Sequence, residues 1–159
     1  MKATDMTPME VHDLGRKLCE YFGLTYNADS GADYDRYSSS HGSGITVGAY
    51  QDMEEMLVST FHEIGHCRKC TVMKKLYAEI SEKYRKVPRD KKVCDEGWFL
   101  LRYGREYRAW KWGFKAMRLL GIEVTPKMIQ FANESLETYN RTTEYGTKPD
   151  GFIGKEFKV

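Results

Sequence analysis

Residues His62-Glu63-Ile64-Gly65-His66 form a complete H-E-x-x-H, and no other stretch of the chain restricts its fold as much. Two histidines four positions apart can serve one ion only if the segment is helical, because 3.6 residues per turn bring i and i+4 to the same face. The flanking pattern agrees. Met53, Met56, Leu57, Phe61 and Ile64 recur at helical spacing, leaving Glu55, Ser59, His62 and His66 on another face. A helix from Asp52 to about Arg68 is therefore expected. Neutral imidazole is a good zinc ligand, and a carboxylate directly after the first histidine can take a proton from water that the ion has acidified. The spacing points to His62 and His66 as metal ligands, Zn2+ as the cofactor and Glu63 as the general base.

A catalytic zinc needs a third protein ligand. The longest helical pattern runs from Glu96 to Gly121, where Phe99, Tyr103, Glu106, Trp110, Gly113, Met117 and Leu120 follow the spacing of one face. Glu106 is the single carboxylate in that stripe, and burying it is costly unless it is paired or bound to a metal. It is the expected third ligand. The competing reading is a salt bridge, for instance to Arg102. Glu96 is the second candidate, although a glutamate at a helix start is also favoured by the dipole.

The rest of the chain supplies a scaffold around these two helices. Thr7-Pro8-Met9-Glu10 has the N-cap, N1 proline and N3 glutamate of a capping box, so a helix is predicted from Pro8 to Phe22, stopped by Gly23 and packed by Val11, Leu14, Leu18 and Phe22. Leu24 to Asn27 starts a strand; Ala28 to Gly44, including His41, reads as loop or short irregular strands. Ile45 to Tyr50 alternates like a strand just before the motif helix, and a free edge there would take an extended peptide by strand addition. Thr71 to Lys86 reads as a helix ending before Pro88. Thr125-Pro126 opens a last one to about Tyr139, burying Met128 or Ile129, Ala132 and Leu136. The expected fold class is α+β: mostly helical, with a short antiparallel or mixed sheet before the H-E-x-x-H helix.

A chain of 159 residues fits one domain, here 1–141, with 142–159 as an extended polar tail. No long apolar run and no apolar leader segment stand out, so a cytoplasmic protein without a membrane partner is expected. Four cysteines in such a compartment read as reduced thiols. Cys67, Cys70 and Cys94 could hold a second, structural metal, but no further C-x-x-C completes the set. A net charge of +2 is too small to argue for nucleic acid. The concentration of Lys83, Arg85, Lys86, Arg89, Lys91 and Lys92 reads first as a solvated connection and second as a contact for an acidic partner or nucleic acid.

His62-Glu63-Ile64-Gly65-His66 followed by Glu106-Tyr107-Arg108-Ala109 resembles the ImmA/IrrE family of small metallopeptidases, whose gluzincin-type sites pair H-E-x-x-H with E-x-x-A on a second helix. The resemblance covers about Ile45 to Leu120. It implies a small zincin-like domain, with His62, His66 and Glu106 as zinc ligands and Glu63 as general base. It also implies a protein or peptide substrate and a setting in phages or mobile elements. The chain departs from the pattern in its longer basic segment and in Trp110 and Trp112 after the glutamate. Tyr103, Tyr107 and His41 are the expected candidates for steadying the oxyanion. The alternative function is a catalytically inactive binding protein on the same scaffold, acting on a host protein or nucleic acid.

Overall fold

The computed structural model describes residues 1–29, 38–41, 43–48, 50, 52–67, 78–79, 82, 91–141 and 147–158. Among these, the chain is α+β and mostly helical, with four α-helices and one small mixed sheet. Helix α1 spans Pro8–Phe22 and begins as its sequence dictates. The Thr7 hydroxyl accepts from the Glu10 amide while the Glu10 carboxylate accepts from the Thr7 amide, and Gly23 closes the helix at φ 68°, where a side chain would be strained. Its buried line is Val11, Gly15 and Cys19. Leu14 and Leu18 are only half-buried and Phe22 is 39% exposed, so the face turned inward is rotated from the expected one.

Strands β1 (Thr25–Ala28), β2 (Ser38–His41) and β3 (Gly44–Val47) form a sheet in the order β1-β3-β2. β3 is parallel to β1 and antiparallel to β2, with Ser38 opposite Val47 and Ser40 opposite Ile45. The strand expected before the motif helix exists, but it is shorter and central, so it has no free edge. β1 and β2 are the outer strands, β2 coming from the stretch read as loop or short irregular strands.

Helix α2 (Met53–Cys67) carries the motif. Asp52 caps it, its Oδ1 accepting from the Glu54 and Glu55 amides at 3.0 and 3.1 Å. Every residue from Met56 to Ile64 is buried, Ser59, Thr60, His62 and Glu63 included, because α1, the sheet and the two later helices pack on different sides of α2. An amphipathic pattern gave the helix but understated its burial.

Helix α3 spans Lys91–Leu119, starting five residues before the expected Glu96, and α4 spans Pro126–Arg141. Phe99, Tyr103, Trp110 and Met117 are buried as the stripe predicted, whereas Leu120 lies beyond the helix and is 48% exposed. In α4, Met128, Ile129, Ala132 and Leu136 are buried. Residues 147–158 have no helix or strand, yet they are not a free tail. The Tyr103 hydroxyl donates to the Lys155 carbonyl, Asn133 bonds both the amide and the carbonyl of Phe157, and the Phe152 and Phe157 rings pack against α3. The helix read from Thr71 to Lys86 falls mostly outside the described residues, of which Ala78, Glu79 and Glu82 are helical. No helix among the described residues is long and apolar enough to cross a membrane.

Candidate metal centre

α2 and α3 form the principal helix pair, and two small residues set how closely they approach. A Cβ on Gly65 would sit 2.8 Å from the Ala109 carbonyl oxygen and 3.1 Å from its Cα. Backbone thus meets backbone at the one point where H-E-x-x-H and E-x-x-A cross. That contact brings Glu106, a turn away from Ala109, onto both histidines.

The resulting cluster is tight. His62 Nε2 and His66 Nε2 are 3.0 Å apart, Glu106 Oε2 is 3.1 Å from the first and Glu106 Oε1 is 3.2 Å from the second. Metal–donor bonds of about 2.0 Å in a tetrahedron would put ligand atoms roughly 3.3 Å apart, so these three groups have the spacing of ligands to one small cation. Two ring nitrogens this close cannot both point a proton at the other, so at most one of them donates to its neighbour. The Nδ1 atoms of both rings are buried without a partner, which leaves the Nε2 side as the only polar engagement of each imidazole. Burial alone would raise the Glu106 pKa, but hydrogen bonds from His62 and His66, and their charge when protonated, hold it well below the usual carboxylate range. The group is therefore an anion facing both imidazoles. The Trp110 ring stacks on His62 with centroids 3.8 Å apart and fixes that imidazole's plane.

Two carboxylates compete for the third ligand position. One ligand atom each from His62, Glu63 and His66 lie within 4.8 Å of one another, but Glu63 makes no ion pair with either imidazole, whereas Glu106 meets both. Distance favours Glu106 as ligand and leaves Glu63 beside the cluster. Glu63 is held from elsewhere. Ser38 on β2 donates to Glu63 Oε1 at 3.1 Å, and the Tyr50 hydroxyl donates to Ser38 Oγ at 3.2 Å.

All four residues expected from the motifs, His62, Glu63, His66 and Glu106, line one cleft of about 410 Å³. Its walls come from Ser38 and Ser40 on β2 and from Phe131, Ser135 and Tyr139 on α4, with Arg105 beside Glu106. The sequence reading missed these wall residues. A signal for α4 was present, since Phe131, Ser135 and Tyr139 repeat every four positions next to the buried stripe. Ser38 and Ser40 alternate, but in a Ser- and Gly-rich stretch that carries no strand signature. Glu96, the second ligand candidate, does not line the cleft and lies ten residues before Glu106, about 15 Å along the helix. Tyr103 and Tyr107 also face away. Tyr103 is taken up by Lys155, and Tyr107 stacks on Phe157 at 4.7 Å. The side chains of His41 and Cys94, and all of Cys70, lie outside the described residues; Cys67 donates to the Gly44 carbonyl. The basic residues Lys83, Arg85, Lys86 and Arg89 also lie outside them, and Lys91 and Lys92 open α3. Comparison of the chain with family models, with curated proteins and with solved structures found no match.

Proposed function

We propose that the chain is a zinc-dependent metallopeptidase that hydrolyses a protein or peptide substrate in the cytoplasm. The observation that carries this reading is the convergence of His62, His66 and Glu106 at 3.0 to 3.2 Å beside a second carboxylate, Glu63, in an open cleft. His62, His66 and Glu106 would hold the metal, which when bound supplies Lewis acidity toward a carbonyl and a water of lowered pKa.

The chain's own groups supply the remaining chemistry. Glu63 takes a proton from the attacking water and returns it to the leaving amine nitrogen. Ser38, donating to one oxygen of Glu63, leaves the other oxygen to do this and keeps the side chain in one rotamer. β2 is paired on one side only among the described residues, so an extended substrate can add to its outer edge by main-chain hydrogen bonds and lie across the cleft. Tyr139 on α4 lines the cleft, as Tyr103 and Tyr107 do not, and takes their place as the candidate for steadying the oxyanion. The ImmA/IrrE-type pairing of motifs supports the same reading, and the Gly65–Ala109 contact gives a physical reason for the small residue in each.

The rival is a binding protein on the same scaffold, and Glu63 separates the two. Glu63→Gln should keep about one zinc per chain by elemental analysis and nearly the same melting temperature, while losing about a hundred-fold or more in hydrolysis. A cellular effect that survives intact in a folded Glu63→Gln chain would sink the peptidase reading.

A further inference from the structure

We propose that Arg105 is a carboxylate-binding subsite next to the metal ligands, so that the preferred substrate carries an acidic group beside the scissile bond. This rests on the peptidase reading and narrows its substrate class. Arg105 is the only lysine or arginine among the described residues lining the cleft. The carboxylates there, Glu63 and Glu106, are already engaged, by Ser38 and by the two imidazoles. Arg105 is not. Arg105 is an exposed residue and has no hydrogen bond or ion pair with any other described residue, in contrast to Arg16, paired with Asp13, and to Arg102 on the same helix, which has a partner.

A guanidinium is weakly hydrated, always charged, and matches a carboxylate with two parallel N–H donors, so a substrate anion displaces its water at small cost. Position sets which anion. Arg105 and Glu106 are chain neighbours with Cα atoms about 3.8 Å apart, and an extended peptide advances about 3.3 Å per residue. The group that reaches Arg105 therefore lies within a residue or two of the bond at the metal centre. An Asp or Glu side chain and a free C-terminal carboxylate share this chemistry. Ser135 and Tyr139, across the cleft, can add neutral donors but no charge.

The test uses matched octapeptides of alanine and serine: one with a central Asp, one with Asn in its place, and neutral ones with a free or an amidated C-terminus. Cleavage is measured with the zinc-loaded chain. Binding is measured by tryptophan fluorescence on the Glu63→Gln chain, which does not turn the peptides over. A charge-assisted pair predicts about tenfold or greater preference for the acidic peptide in both assays. In Arg105→Gln the acidic peptide should fall to the level of the neutral one, with zinc content unchanged, and Arg105→Lys should restore part of the preference. An Asp over Asn preference assigns the subsite to a side chain; a free over amidated preference assigns it to the C-terminus. Equal handling of all peptides by the unsubstituted chain overturns the proposal, as does a preference that survives Arg105→Gln. A uniform loss of cleavage for every peptide in Arg105→Gln, without change in preference, would make Arg105 an oxyanion donor and also overturn it. Arg105-dependent binding with no hydrolysis by the unsubstituted chain would leave the subsite standing and remove the peptidase reading alone.

Discussion

Single residues divide the work at the cleft into holding a metal and moving a proton, and substitutions should separate the two. Glu106→Gln keeps the shape of a side chain that meets both Nε2 atoms but removes its charge, so zinc content should fall well below one per chain. Glu96→Gln, about 15 Å away along α3, should leave zinc content untouched. The reverse result, measured by elemental analysis after dialysis, would show that the third ligand is misassigned. Ser38→Ala removes the donor to Glu63 without touching a ligand. It should slow hydrolysis by roughly tenfold to a hundred-fold, as loss of an orienting partner does, with zinc retained. Unchanged turnover in that variant would mean that Ser38 has no part in positioning the base. Glu106 was readable from sequence because a lone carboxylate interrupting an apolar stripe needs a partner. Ser38 was not, because its partner lies 25 positions away.

Elements meet at crossings, and the most demanding one is Gly65 against Ala109. Gly65→Ala would place a methyl 2.8 Å from a backbone oxygen that cannot swing aside as a side chain could. Overpacking of this kind costs about 1–3 kcal/mol, and here it would also move Glu106 away from the histidines. A lower melting temperature together with weaker zinc binding is expected. Thr7→Ala, which breaks the capping box of α1 far from this crossing, should cost about 1 kcal/mol and leave zinc binding alone. If both variants lose stability equally and both keep zinc, the crossing does not set the ligand geometry. The start and end of α1 were legible because caps are local chemistry, carried by Thr7, Glu10 and Gly23. The inward face of α1 was not, since its four-residue repeats allowed either Leu14 and Leu18 or Gly15 and Cys19, and the neighbours chose the smaller pair.

Across the whole molecule, the last described residues close the core rather than trailing from it. Phe157 stacks on Tyr107 and packs on Phe114, and Phe152 packs on Phe99 and Tyr103. Removing residues 147–159 should expose that side of α3 and lower the melting temperature by several degrees; an unchanged melting temperature would return the segment to the status of a free tail. The fold also carries an acid sensitivity away from the cleft. Burial, and then the charge of Arg16, lowers the pKa of His12, whose Nδ1 lies 2.6 Å from the Tyr26 hydroxyl. The folded chain therefore prefers neutral His12. Its contribution is present above the unfolded value of about 6.5 and is lost as pH falls through the lower folded value. His12→Gln should narrow the drop in melting temperature between pH 7 and pH 5 relative to the unsubstituted chain, and an identical drop would exclude His12 from the acid response.

By itself the sequence determined what depends on neighbours within a turn or two: the helices carrying the motifs, the caps of α1, the buried stripe of α4, and the pairing of His62 with His66 and Glu63. It also singled out Glu106, because the cost of burying an unpaired charge is a general one. Only the tertiary structure decided what lies opposite. It made β3 central and β1 and β2 the outer strands among the described residues, turned Tyr103 and Tyr107 toward residues 147–158, and assembled Ser38, Tyr50, Arg105 and Tyr139 around the cleft. Those choices depend on which surfaces fit together at contact distance, and residues far apart in the chain carry no shared periodicity that would announce it.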